Sequence, residues 1–117
     1  MTDIVERYLE CWNTTDADQR RALLSTTFTA DAEYVDPLVA VAGLDELDAA
    51  IGGAHAQFPG FVFSRVGEPD AHHDVVRFQW GLGPAGEEPL VIGFDVATTG
   101  SDGRISNVVG FLDRVPG

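Results

Sequence analysis

The sequence predicts an α+β domain, with helices first and an antiparallel sheet after them. Apolar residues recur at helical spacing through the first half of the chain. From Gly60 onward they alternate at period two. The length of 117 residues sets the scale. It fits one domain, residues 1–117, able to bury roughly two-thirds of its unfolded surface around one core. No repeat, linker or low-complexity tract interrupts it.

The first helix, about residues 3–13, is read from Ile4, Val5, Tyr8, Leu9 and Trp12. Asp3 with Glu6 resembles a capping box, Asp replacing the usual Ser or Thr. Asn13-Thr14-Thr15-Asp16 breaks the pattern, and Asp16 or Asp18 can cap a second helix by accepting from a free first-turn amide. Ala22, Leu23 and Phe28 are expected on its apolar side. Glu33 to Asp36 reads as a short strand stopped by Pro37, since the residue before a proline is held extended. Val39 to Ala42 can pair back as a short arm.

Leu44, Leu47, Ala50, Ile51 and Ala54 mark a third helix, weakened toward its end by Gly52-Gly53. Phe61 and Phe63 alternate in one strand. Val76, Phe78, Trp80 and Leu82 share a face of the next, with Arg77 and Gln79 opposite. Gly83 to Glu88 is a turn and Leu90 to Thr99 a strand. Gly100-Ser101-Asp102-Gly103 is a hairpin turn, and Ile105 to Asp113 is the last strand.

Nineteen acidic residues face seven basic ones, all arginine, for a net charge of -12. That balance argues against nucleic acid and anionic membranes as partners, because both need a basic surface. The single cysteine, Cys11, allows no intrachain disulfide and sits among helix apolar residues, as a buried structural thiol would. The N-terminus lacks the charged-then-apolar pattern of a secretory signal. No stretch approaches the ~20 apolar residues of a membrane span. A cytoplasmic location is expected.

Asp95 is the most informative residue. On its strand Leu90, Ile92, Phe94 and Val96 point one way, and Val91, Gly93, Asp95 and Ala97 the other. Both faces are largely apolar, so both should be covered: one by helices, the other by a second copy of the sheet. A carboxylate on a covered face must be hydrogen-bonded, paired, or kept neutral by a raised pKa. Asp95 thus fits either a structural acceptor or a proton donor in a pocket. Asp36, just before Pro37, fits either a turn former or a group at a cavity mouth. Tyr8, on the first helix's apolar stripe, fits a core tyrosine with one polar partner. His72-His73 does not make a metal site, because neighbours on a strand point to opposite faces, and no further His or Cys ligands stand at zinc spacing. His55 suits the helix C-terminus, where a cation meets the dipole.

Four segments carry a family resemblance. They are Tyr8-Leu9-Glu10-Cys11-Trp12-Asn13-Thr14-Thr15-Asp16, Tyr34-Val35-Asp36-Pro37, Gly93-Phe94-Asp95-Val96 and Asp102-Gly103-Arg104-Ile105. Taken in order over nearly the whole chain, they resemble the SnoaL-like proteins of the nuclear transport factor 2-like superfamily. The resemblance implies a cone-shaped fold. A strongly curved antiparallel sheet wraps three helices and encloses a deep pocket, with dimerisation through the sheet. It implies a small, mostly apolar, carbonyl-bearing ligand, with Trp12, Phe58, Trp80 and Val91 around it, and no cofactor.

Ketosteroid isomerase is the nearest chemical comparison, and its protonated acid and aspartate base are established examples of tuned carboxyls. By that resemblance, Tyr8 and a protonated Asp95 correspond to the oxyanion donors and Asp36 to the general base. Limonene epoxide hydrolases need a second aspartate in the last strand. Here Gly110 stands in its place, against epoxide hydrolysis. Three readings remain: an isomerase, a polyketide-cyclase-like or dehydratase enzyme, and a non-catalytic binding or dimerisation module. Arg77, Gln79, Trp80 and His73 are the residues that could shape specificity.

Overall fold

The computed structural model describes residues 2–116, with side chains from Ile4 onward. Three helices precede most of a six-stranded sheet: α1 (Thr2–Asn13), α2 (Ala17–Thr27), β1 (Phe28–Val35), β2 (Ala40–Ala42), α3 (Leu44–Gln57), β3 (Phe61–His72), β4 (Val75–Pro84), β5 (Val91–Thr99) and β6 (Ile105–Arg114). The sheet order is β2-β1-β6-β5-β4-β3. It is curled but not closed. It is mixed rather than wholly antiparallel: β1 runs parallel to β6, and every other pairing is antiparallel. β6 reaches β1 only after α3 and the rest of the β3–β6 meander, a connection long enough to allow either sense.

The α1 stripe is buried as its spacing requires: Ile4, Val5, Tyr8, Leu9 and Trp12, with Cys11 behind them. Burial pushes the Cys11 thiol upward, as for an inert buried thiol. The Asp3 side chain of the expected capping box lies outside the described residues. Asn13 ends the helix by clamping it to β3, donating to the Phe63 carbonyl at 2.8 Å and accepting from the Phe63 amide at 2.7 Å. Aromatic edges lock the helix into the concave face, with Tyr8 against Phe78 and Trp12 against Phe63.

Asp16 caps α2 by accepting from the Gln19 amide. The fully buried residues of α2 are Arg20, Leu24 and Thr27; of those expected on its apolar side, Leu23 packs half-buried on the core, Ala22 is exposed, and Phe28 is buried but already belongs to β1. The reason is Arg20, only 6 % exposed, which replaces an apolar residue at the helix contact. It donates to Asp48 at 2.6 Å, to the Thr14 carbonyl at 3.0 Å, and approaches His55 Nδ1 at 3.4 Å. His55 Nε2 meets the Trp12 carbonyl at 2.6 Å. A carbonyl only accepts, so Nε2 carries the proton and Nδ1 accepts from Arg20. His55 is thus a tie between α3, α1 and α2 rather than a free dipole partner.

The strand expected at 33–36 begins at Phe28. An irregular register between Phe28 and Glu33 breaks the period-two signal and hides its first half. On β5 the alternation is as expected: Val91, Gly93, Asp95 and Ala97 are buried, and Ile92, Phe94 and Val96 half-buried. Among the described residues, no helix is long and apolar enough to cross a membrane.

Candidate active site

The concave side of the sheet, α1 and α3 leave a cavity of about 560 Å³. That volume suits a small organic ligand. It exists because α3 turns Ala49, Ala50, Gly53 and Ala54 toward the sheet, residues too small to fill the gap. Trp12, Phe58, Phe63 and Trp80 supply flat apolar walls. Trp80 lies so close over Gly93 that a Cβ there would stand 2.0 Å from its ring. Glycine is therefore what lets the indole reach the wall. Leu38 and Val115, both well exposed, mark the open edge.

Two phenol–carboxylate pairs serve this wall. The Tyr8 hydroxyl donates to Asp95 Oδ2 at 2.7 Å. Asp95 is 1 % exposed, and its Oδ1 has no hydrogen-bond partner. Burial raises the Asp95 pKa from 3.8 to about 6; Tyr8 and Trp80, as nearby donors, lower it, and the charge of Asp36 adds to the rise. Trp80 completes no hydrogen bond to Oδ1. Burial first, then the charge of Asp95, holds the Tyr8 hydroxyl well above its usual range, so Tyr8 is a donor and not a base.

The second pair is Tyr34 and Asp36. The Tyr34 hydroxyl donates to Asp36 Oδ2 at 2.6 Å. Asp36 Oδ1 accepts from the Leu38 and Val39 amides at 2.8 and 2.9 Å, which fixes the carboxylate at the strand end. Burial, then the charge of Asp95, raises Tyr34 as well. Gly110 lies between the two pairs. A Cβ on it would stand 2.6 Å from Asp95 Oδ1 and 3.4 Å from Asp36 Cβ. The missing side chain is what leaves room for the Asp95 carboxyl.

Of the residues singled out from sequence, Tyr8, Asp36, Trp12, Phe58, Trp80 and Val91 line the cavity. Asp95 does not. It stands behind Tyr8, to whose hydroxyl it is bonded. Trp80 faces inward, while Arg77 bonds Asp70 and Gln79 bonds Asp113 on exposed positions. His73 is exposed in the β3–β4 turn. Tyr34 is the cavity-lining hydroxyl that the sequence reading missed. Its signal was there: positions 34 and 36 are two apart on a strand, and so share a face. Among the described residues, no three His, Cys, Asp or Glu side chains converge to hold a metal ion.

A family model for the SnoaL-like domain matches residues 5–108. The chain belongs to the SnoaL-like family. A candidate isomerase of this SnoaL-like family from Agrobacterium tumefaciens str. C58 is 38% identical, with 96% of each chain covered and a TM-score of 0.91. A candidate polyketide cyclase from Sinorhizobium meliloti shares the fold at 23% identity and TM-score 0.72, covering 92% of this chain and 93% of its own. A SnoaL-like protein of unknown function from Burkholderia thailandensis E264 shares it at 18% identity and TM-score 0.74, covering 95% and 92%. No curated protein matches the chain. The SnoaL-like fold accounts for the curled sheet.

Proposed function

We propose that this SnoaL-like protein binds a small, mostly apolar, carbonyl-bearing molecule and moves a proton on it, as an isomerase or cyclase does. The observation that carries this is the pair of phenol–carboxylate dyads on the wall of one apolar cavity. Asp36, a carboxylate fixed by three donors, takes a proton from the carbon next to the carbonyl. The C–H electron pair moves to the carbonyl oxygen. Tyr8, accepting from a protonated Asp95, donates to the oxygen that becomes negative. Return of the proton from Asp36 to another carbon completes an isomerisation; attack of the enolate carbon on a second carbonyl, whose oxygen then takes the proton from Asp36, completes a cyclisation. These residues suffice for the proton transfer.

The test is α-hydrogen exchange of 2-tetralone in heavy water, followed by NMR. Wild type should accelerate exchange, and Asp36→Asn should lose roughly 10²–10⁴-fold of that acceleration. An unchanged rate in the variant would remove Asp36 from the mechanism.

One observation favours a non-catalytic module instead. Both Asp36 oxygens already accept hydrogen bonds in the turn, as a structural residue would. In that case 2-tetralone binds and does not exchange.

The same reading assigns the outer sheet face to a second copy of the chain. Ile92, Phe94, Val96 and Val109 are half-buried there, and Val35 and Phe111 are 40% and 53% exposed. It also assigns the chain to the cytoplasm, where a lone buried thiol is at home.

A further inference from the structure

We propose that the proton on Asp95 decides which ligand atom the cavity receives at Tyr8: a carbonyl oxygen when Asp95 is protonated, a hydroxyl group when it is ionised. This deepens the acid–base reading and rests on it for where the ligand sits.

The argument begins with the direction of one hydrogen bond. An ionised carboxylate only accepts. With Asp95 ionised, the single Tyr8 proton must point at Oδ2, 2.7 Å away. Tyr8 lines the cavity and Asp95 does not. The cavity then meets only the lone pairs of the Tyr8 oxygen. Tyr34 is in the same state, with its proton given to Asp36. The Trp12 indole nitrogen has no partner but is itself closed off from the cavity. At this wall a ligand hydroxyl can donate to Tyr8, and a ligand carbonyl finds no donor in either phenol.

Protonation of Asp95 reverses this. A proton on Oδ1 would find no acceptor, because that oxygen is buried and unpartnered against Gly110. A proton on Oδ2 finds the Tyr8 oxygen at hydrogen-bond distance. Asp95 therefore becomes the donor, and the Tyr8 proton turns to the cavity. The groups that face Asp95 are Tyr8 from α1, Trp80 from β4, Asp36 and Tyr34 from the end of β1, and Gly110 from β6. None of them is a cation, and Asp36 favours the added proton. Burial places the change near pH 6.

The experiment uses two neutral probes, 2-acetylnaphthalene and 2-naphthol, which keep their charge between about pH 5 and about pH 8. Affinity for the ketone should fall roughly tenfold over that range, a change the size of one lost hydrogen bond. Affinity for the naphthol should hold or rise. Tyr8→Phe should make ketone binding independent of pH. A flat ketone profile in wild type, or a pH dependence that survives in Tyr8→Phe, overturns the proposal.

A ligand-free measurement separates this from the catalytic reading. The Tyr8 Cζ signal should move with the Asp95 carboxyl at one shared midpoint. A Tyr8 signal that stays still through that titration overturns the reversal, whatever binds. If neither naphthalene binds, the ligand half of the proposal falls together with the pocket reading, and the Tyr8 signal alone decides the reversal.

Discussion

Tyr8 and Asp95 are 87 positions apart in sequence and joined by a 2.7 Å hydrogen bond. That bond connects a cavity wall to a carboxyl group with almost no solvent contact. Its consequences reach stability as well as chemistry.

Asp95 should cost the fold stability at neutral pH. Raising a carboxyl from 3.8 to about 6 penalises the ionised form by about 3 kcal/mol, at about 1.4 kcal/mol per pH unit. The folded pKa is the higher one, so the native state binds more protons than the unfolded state between the two values. The contribution is complete below about pH 4 and is lost as pH rises through 6. Asp95→Asn should therefore raise the urea midpoint at about pH 8 and leave little gain at about pH 4. A variant destabilised equally at both would show that the ionised group is held by more than Tyr8.

Gly93 is predicted to be irreplaceable for a different reason. A methyl group there would stand 2.0 Å from the Trp80 ring. Gly93→Ala should drive the indole off the wall and cost about 1–3 kcal/mol. Trp80 emission, read in a Trp12→Phe background, should report the move. An unchanged spectrum would mean that the strand can yield there.

Arg20 should matter more than its place on a short helix suggests. Arg20→Met keeps the apolar stem but leaves Asp48, the Thr14 carbonyl and His55 Nδ1 without their donor. Asp48 is partly exposed, which discounts the ion pair. A loss of about 2 kcal/mol in urea unfolding is expected, mostly from the stranded buried acceptors. Arg20→Lys should rescue little of it, because an ammonium cannot span three acceptors in the guanidinium's planar arrangement.

Phe111→Arg tests the outer face. At 53% exposure Phe111 tolerates a charge in a lone chain, but not beneath a second copy. Light scattering should show wild type as a dimer and the variant as a monomer of unchanged helix content. A monomeric wild type would return the outer face to solvent.

The sequence made some of this legible and hid the rest for physical reasons. The α1 stripe and the β5 alternation were readable because each obeys one unbroken period. The start of β1 was not, because its register shifts between Phe28 and Glu33. The parallel β1–β6 pairing was hidden because pairing sense is not written in local periodicity. The Arg20–Asp48–His55 cluster joins α2 and α3, and no single window shows it. Asp95 could be placed on a covered face from parity, but parity cannot name a partner on α1. The resemblance supplied Tyr8, and geometry supplied Tyr34 and the separation of Asp95 from the cavity itself.

The most direct measurement is the titration of the Asp95 carboxyl carbon by ¹³C NMR in the ligand-free protein, assigned by its loss in Asp95→Asn. The account predicts a midpoint near 6, set by burial. A midpoint at or below the ordinary 3.8 would contradict it. Asp95 would then be a structural acceptor whose charge is held by hydrogen bonds, with no proton to lend to Tyr8.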